Sequence, residues 1–410
     1  MTPVLTGFRG LTIAPQLLEV LDRAKYTEPT PIQEKAIPPA IEGTDVMGIA
    51  QTGTGKTLAF AIPMIQRIAQ GIGKGLVIVP TRELALQVES VFVKMGGPLG
   101  LRTAVFIGGA SMERQLQMIR KNPHVIIATP GRLIDHMEQK TVSLDAVRIL
   151  VLDEADRMLD MGFAPQLKRI LEKVPTERQT MVFSATMPDD IVSMVTKHMK
   201  LPVRVEIARA GTAADRVVQE LFFVARHEKN RLLDKVISEC KGSVLVFSRT
   251  KFGAKRICTA VRAMGYTTIE IHSNRSLAQR QEAMQGFRSG KYRVMVATDV
   301  ASRGIDVTGI ELVVNYDLPD NPHDYVHRIG RTGRAGKEGR AISFATPDQR
   351  TEVRDIERTI RSQLSVTPIP VLPPEKMAVH REEETRRPFS RAPQKRRTPQ
   401  RSERSRYRSW

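Results

Sequence analysis

The sequence predicts an α/β protein of two tandem halves, each an open, mostly parallel sheet flanked by helices, followed by a disordered basic tail. Three observations carry this. Short, near-continuous Val/Ile/Leu runs recur along the chain, as in strands buried on both faces. Helix-compatible stretches separate them, as parallel crossovers require. Polar motifs follow the runs, where open sheets place their ligand loops. With 410 residues, 41% hydrophobic and 26% charged, the chain can build more than one core.

In chain order, the first half offers strand-like runs at Val46–Ile49, Leu76–Val79, Val125–Ala128, Ile149–Leu152, Met181–Phe183 and Val203–Ile207. The second offers Leu221–Val224, Val244–Phe247, Thr268–Ile271, Val294–Ala297, Leu312–Asn315 and Ala341–Phe344. Ala208–Asp215, small and polar without periodicity, reads as a linker between domains at 1–207 and 216–365. From 366 onward, closely spaced prolines give way to Arg/Ser/Pro-rich text that cannot bury a core, so 366–410 is predicted to be disordered.

The chain carries 63 Lys+Arg against 44 Asp+Glu, a formal charge of +19. That excess calls for a polyanionic partner, a nucleic acid or an acidic membrane face. Lys376–Trp410 holds 12 basic and 4 acidic residues, so most of the excess lies in the body. No apolar run approaches the roughly 18 residues of a membrane span. The start, MTPVLTGFRG, lacks the basic and apolar regions of an export signal. Cys240 and Cys258 are too few for a disulfide framework and read as reduced thiols of a cytoplasmic protein.

Ala50-Gln51-Thr52-Gly53-Thr54-Gly55-Lys56-Thr57 follows a predicted strand and opens a helix-compatible run from Leu58. It matches G-x-x-x-x-G-K-[ST] except for Ala50. Gly53 and Gly55 would turn backbone N–H groups toward phosphates. Lys56 would neutralise β/γ charge, and Thr57 would ligate Mg²⁺. Alone, the match also fits a glycine-rich strand–helix turn. A second motif decides for the phosphate site: Ile149–Leu152 ends in Asp153-Glu154-Ala155-Asp156. A carboxylate at a strand tip beside such a loop holds Mg²⁺, usually through water, which assigns Asp153. Glu154 is then the group to orient and deprotonate an attacking water.

At VLDEAD (Val151–Asp156) the chain resembles a DEAD-box ATP-dependent RNA helicase of superfamily 2, in a compact bacterial form. The resemblance runs from about Phe8 to Phe344 in the family's motif order. It implies two RecA-like domains with ATP and Mg²⁺ in the cleft. Tyr26-Thr27-Glu28-Pro29-Thr30-Pro31-Ile32-Gln33 resembles the adenine-reading motif: the Gln33 amide can both donate and accept, and Tyr26 stands where an aromatic stacks. Lys25 departs from the family's usual glycine. Ser184-Ala185-Thr186 resembles the motif coupling hydrolysis to strand separation. His327-Arg328-Ile329-Gly330-Arg331-Thr332-Gly333-Arg334 implies Arg331 and Arg334 as arginine fingers, with His327 in the same catalytic motif. Gly304 and Asp306 match positions that approach the nucleotide on closure.

The family's RNA-backbone contacts map onto Thr81, Arg82, Gly109, Thr129, Pro130, Gly131 and Arg132, and onto Thr250, Arg280, Thr298, Asp299 and Arg303. Hydroxyls, glycine amides and arginines bind phosphates and sugars without reading bases, so sequence-independent binding of single-stranded or short duplex RNA is expected. Leu277 stands where the family commonly has Gln. The expected function is RNA-stimulated ATP hydrolysis by a monomer, coupled to local unwinding or ribonucleoprotein remodelling as the halves close. Ribosome-assembly or RNA-decay complexes are the expected setting. An ATP-gated RNA clamp and a DNA helicase of a related branch remain alternatives.

Overall fold

The computed structural model describes residues 7–51, 53–187, 189–207, 217–302, 307, 309–333 and 339–373. The chain divides into two units, Met1–Lys376 and Met377–Trp410, and the second lies outside the described residues. So does the expected linker, Ala208–Asp215.

The first half carries strands β1 (Val46–Ile49), β2 (Lys74–Ile78), β3 (Thr103–Phe106), β4 (Val125–Ala128), β5 (Val147–Asp153), β6 (Gln179–Ser184) and β7 (Val203–Glu206). Its helices are α1 (Pro15–Arg23), α2 (Pro31–Glu42), α3 (Lys56–Ala69), α4 (Arg82–Gly96), α5 (Met112–Arg120), α6 (Pro130–Glu138), α7 (Ala155–Asp160), α8 (Ala164–Lys173) and α9 (Asp189–Thr196). The second half carries β8 (Val217–Phe223), β9 (Ser243–Phe247), β10 (Thr268–Ile271), β11 (Val294–Ala297), β12 (Ile310–Asn315), β13 (Gly339–Ala345) and β14 (Ser365–Val366). Its helices are α10 (Lys229–Glu239), α11 (Lys251–Ala263), α12 (Leu277–Arg288), α13 (Asp299–Ser302), α14 (Pro322–Ile329) and α15 (Arg350–Ile360).

The strands form two seven-stranded sheets, ordered β3-β4-β2-β5-β6-β1-β7 and β10-β11-β9-β12-β13-β8-β14, with every described pairing parallel. Each sheet separates two apolar clusters, so the central strands are buried on both faces. This is why they read as continuous aliphatic runs. All twelve expected strands are present, with small differences at their ends. Two more, β3 and β14, were not expected. Both lie at sheet edges, where a strand needs fewer apolar residues to hold its place.

The second addition corrects the expected end of the folded part. β14 pairs with β8 in the register Ser365↔Glu220, and Thr367 N donates to Leu221 O. Beyond it, Leu372 packs on the second half's core and Arg231 Nε donates to Pro373 O at 2.8 Å. The prolines end the strand without ending the packing. No described helix is long and apolar enough to cross a membrane.

Candidate active site and RNA track

The order β5-β6-β1 places three motif-bearing strand tips side by side. β6 pairs Ser184 with Ile49 of β1 on one flank and Phe183 with Asp153 of β5 on the other. The phosphate loop, the Ser-Ala-Thr turn and the Asp-Glu-Ala-Asp segment therefore emerge together, although some 100 residues separate the first from the third in the chain.

The phosphate loop turns through Gly53 and Gly55, both left-handed (φ +85° and +92°), so that α3 begins at Lys56 itself. Thr54 Oγ1 braces the loop on Gln51 O at 2.7 Å. Thr52 lies outside the described residues. Lys56 is 6% exposed, yet its ammonium has no hydrogen-bond partner among the described residues. A buried ammonium without hydrogen bonds is costly, even near the Asp153 and Asp156 carboxylates, unless a ligand anion accepts its protons. The loop glycines and this ammonium form a cradle suited to a polyphosphate.

Opposite it, burial pushes the Asp153 carboxyl up to about 7, with Lys56 acting against and Glu154 with the rise. This acid needs more positive charge than the protein supplies. The described residues include no group of three acidic, histidine or cysteine side chains able to cage a metal. Mg²⁺ commonly arrives on phosphates and needs only one or two protein oxygens. The half-buried Thr57 and the buried Asp153 are the residues that would hold it.

Asp156 has a different task. Its Oδ2 accepts from Ala185 N (3.2 Å), Thr186 N (2.9 Å) and Thr186 Oγ1 (3.0 Å), while its own N–H donates to Ser184 Oγ (3.1 Å). Burial alone would raise this carboxyl, but Lys56, Arg157, His327 and the Ser184 hydroxyl together hold it below the ordinary value. Glu154 sits in the left-handed region (φ 54°) and makes a buried ion pair with Arg157, Nη1 to Oε2, at 2.9 Å. Arg157 Nη2 lies 3.3 Å from His327 Nδ1, so one guanidinium joins the expected base to the second half's arginine motif. Arg157 was not anticipated as a site residue. Its signal was its place three residues after Glu154, in the first turn of α7, which Glu154 precedes as the left-handed cap.

Gln33 is 3% exposed and much of its amide is engaged within the protein: Nε2 donates to Gly55 O and Oε1 accepts from Thr30 N, each at 3.0 Å. It ties α2 to the phosphate loop, leaving one N–H and one carbonyl lone pair for a ligand. Tyr26 is half-buried with the Lys94 ammonium 4.7 Å from its ring centre. Lys25 adopts the left-handed conformation (φ 61°) in which glycine is the easier residue.

In the second half, Arg331 is 4% exposed and its Nε donates to His327 O at 3.2 Å. Arg334, Gly304, Asp306 and Arg303 lie outside the described residues. Asp299 and Arg280, both expected on RNA, are each paired with an oppositely charged side chain distant in sequence. Asp299 forms a two-pronged pair with Arg328, at 2.5 and 2.7 Å. Arg280 is buried and reaches Glu83 of the first half, Nε to Oε1, at 2.6 Å. In this conformation Arg280 joins the halves instead of presenting its charge to solvent. The reason is positional: Glu83 lies in the first turn of α4, facing α12, and a buried guanidinium takes the nearest carboxylate. Leu277, one helical turn before Arg280, packs on the first half's apolar cluster, so the departure from Gln exchanges a polar group for an apolar contact.

The remaining track residues cluster by strand tip. Thr81 and Thr250 cap α4 and α11, accepting from Leu84 N and Gly253 N. Thr129 is buried and bonded to Phe106 O, Pro130 opens α6, and Gly131 faces open space. Arg132 Nη1 donates to Ala110 O at 3.1 Å. Gly109 is left-handed (φ +75°), and a Cβ there would collide with the Arg82 guanidinium. Thr298 is buried beside α13.

The comparisons agree with this geometry. Residues 30–194 match the DEAD/DEAH box helicase family and residues 228–336 the helicase conserved C-terminal domain. The chain is 42% identical over 368 residues to the ATP-dependent rRNA helicase RRP3 of Debaryomyces hansenii, covering 89% of this chain and 77% of that protein. It is 43% identical over 368 residues to the ATP-dependent RNA helicase CshA of Listeria monocytogenes, covering 88% and 70% respectively. Among solved structures, S. cerevisiae Dbp5 bound to RNA and ADP BeF3 superposes with a TM-score of 0.78 at 29% identity, covering 89% of this chain and 96% of that one. The DEAD-box helicase Mss116 bound to ssRNA and UDP-BeF gives 0.80 at 27% identity, covering 88% and 79%. The chain belongs to the DEAD-box family of ATP-dependent RNA helicases, and its two sheets are the family's tandem RecA-like domains.

Proposed function

We propose that this chain hydrolyses ATP in response to RNA and spends the cycle on local unwinding of short duplexes or on remodelling RNA–protein complexes. The observation that carries the proposal is that Lys56 of the phosphate cradle acts by charge on the buried Asp153 and Asp156, while buried Arg157 ties Glu154 to His327 of the second half. Lys56 receives the phosphates, with Thr57 and Asp153 available to Mg²⁺, whose chemistry would be charge neutralisation on the polyphosphate. Glu154 orients and deprotonates water once ATP and RNA occupy the cleft between the halves. Arg331, and Arg334 by family match, stabilise charge on the transferring phosphoryl group, an effect worth roughly 10³–10⁵ in rate in other nucleotide hydrolases. Because ATP and RNA each touch both halves, binding of one favours binding of the other.

The RNA is recognised through its backbone, without sequence preference, by a cytoplasmic monomer. Domains at 1–207 and 216–365 supply the two sides of the cleft. The rRNA helicase relatives suggest ribosome assembly as the setting, with RNA decay as the competing one. A second reading, an ATP-gated RNA clamp with slow turnover, draws on the engagement of Glu154 by Arg157 and of Arg331 by His327 O.

Two substitutions test the proposal. Lys56→Ala is expected to abolish ATP binding. Glu154→Gln is expected to retain ATP and RNA while stopping turnover, leaving a long-lived ternary complex measurable by filter binding. Undiminished RNA-stimulated hydrolysis in Glu154→Gln would remove Glu154 as the base. Strand separation by the parent protein, followed with a labelled short duplex, decides between remodelling and clamping.

A further inference from the structure

α5 buries a single residue fully, and that residue is polar: Gln115, 1% exposed. Its Nε2 points at three backbone carbonyls of the glycine loop, Ile107 O (3.3 Å), Ala110 O (3.4 Å) and Ser111 O (3.3 Å). With the amide nitrogen committed to acceptors, Oε1 must face the other way, and there it meets His136 Nε2 at 3.2 Å. A glutamine oxygen only accepts, so His136 donates from Nε2. Its Nδ1 is then the acceptor of the neutral ring, 2.8 Å from Thr141 Oγ1, whose single proton is shared between Nδ1 and His136 O at 3.1 Å. The ring is fully buried, stacks near Phe106 at 4.4 Å between centres, and is held toward its neutral form by burial first and by Arg132 second.

This relay joins two RNA-facing elements. Gln115 grips the loop Ile107–Ser111, while His136 belongs to α6, whose first turn carries Pro130, Gly131 and Arg132. Arg132 returns to the same loop at Ala110 O, closing a ring of contacts around Gly108 and Gly109. A two-glycine loop has more conformations open to it than any other dipeptide. Ordering it only when RNA arrives would weaken binding by the entropy of that ordering.

We propose that Gln115 and His136 are positioning residues that hold the Gly108–Gly109 loop in its RNA-receiving conformation, in register with the Pro130–Arg132 turn. Neither touches RNA. They act through the backbone carbonyls of residues 107–111 and hold that loop ready in the free enzyme. The inference rests on the reading of this loop as an RNA contact.

The test is RNA-stimulated ATPase kinetics on the full chain with three variants: Gln115→Leu, which keeps the volume and removes the amide; His136→Phe, which keeps the ring and removes the donor; and Thr141→Val, at the half-buried end of the relay. Gln115→Leu and His136→Phe should each raise the RNA concentration for half-maximal stimulation about tenfold. RNA-independent hydrolysis and the KM for ATP should stay within twofold of the parent. Because the two act through one loop, the double variant should shift no further than the worse single one. Thr141→Val should shift the RNA value in the same direction by about threefold, and it decides the matter if the core variants do not fold. An RNA half-saturation unchanged in every folded variant overturns the inference, as does a parallel rise in the KM for ATP. If the parent itself shows no stimulation by RNA, the underlying reading fails instead.

Discussion

At the scale of single residues, the site is governed by how buried charge is matched. Arg157 is the clearest case, because it neutralises Glu154 inside the protein and touches His327 from the other half. Arg157→Ala should leave Glu154 buried without a partner, a change that costs about 3–5 kcal/mol in comparable buried pairs. Thermal unfolding should therefore shift down by several degrees. RNA-stimulated kcat should also fall more than tenfold, with the KM for ATP changed less than threefold; a stability loss with normal kcat would reduce Arg157 to a structural role. Much of the proposed site was legible in the sequence: Lys56, Asp153 and Glu154 stand out by motif and by position after aliphatic runs. What sequence alone could not supply was pairing. The i,i+3 step from Glu154 to Arg157 was visible, but its reach to His327 spans 170 positions and exists only because two sheets meet. Arg280 shows the same gap: its type and spacing fit a phosphate contact, and its pairing in this conformation with Glu83, 197 positions away, is not visible in the sequence.

At the scale of elements, strand order does the assembly. β6 lies between β5 and β1, so a strand of unremarkable composition brings the phosphate loop and the acids into register. The central strands were readable because burial on both faces demands aliphatic residues. β3, with Thr103 and Ala104, and the two-residue β14 were not, since edge strands bear a weaker demand. β14 yields a prediction of its own. Truncation after Gln363 removes Leu364, β14 and the packing of Leu372 and strips one edge from β8, so its unfolding midpoint should fall by several degrees. Truncation after Pro373 keeps all of these and should unfold like the full chain. Matching midpoints for the two truncations in calorimetry would mean that the segment adds nothing to the second core.

For the whole molecule, charge divides by purpose. Part of the +19 is already committed inside: Arg157, Arg280 and Arg328 are buried and paired with acids. Lys376–Trp410 adds 12 basic and 4 acidic residues, for which we propose a nonspecific hold on RNA. Deleting 376–410 should weaken RNA binding and flatten its salt dependence, by about 0.7 in log–log slope for each single-strand phosphate that the tail neutralises. ATP hydrolysis at saturating RNA should survive; its collapse in the deletion would place part of the tail in the catalytic cycle.

The position of β8 has a consequence for how the chain is made. It is the first strand of the second half to leave the ribosome, yet its neighbours in the sheet are β13 and β14, the last two. At roughly 5–20 residues per second, β8 must wait on the order of ten seconds before residues 339–345 arrive to cover one side. Throughout that interval its apolar residues Leu221, Phe222 and Phe223 offer unpaired backbone to any other strand in reach. Nascent chains stalled between residues 224 and 338 should therefore be the aggregation-prone and chaperone-bound species, while release of the full sheet ends the exposure.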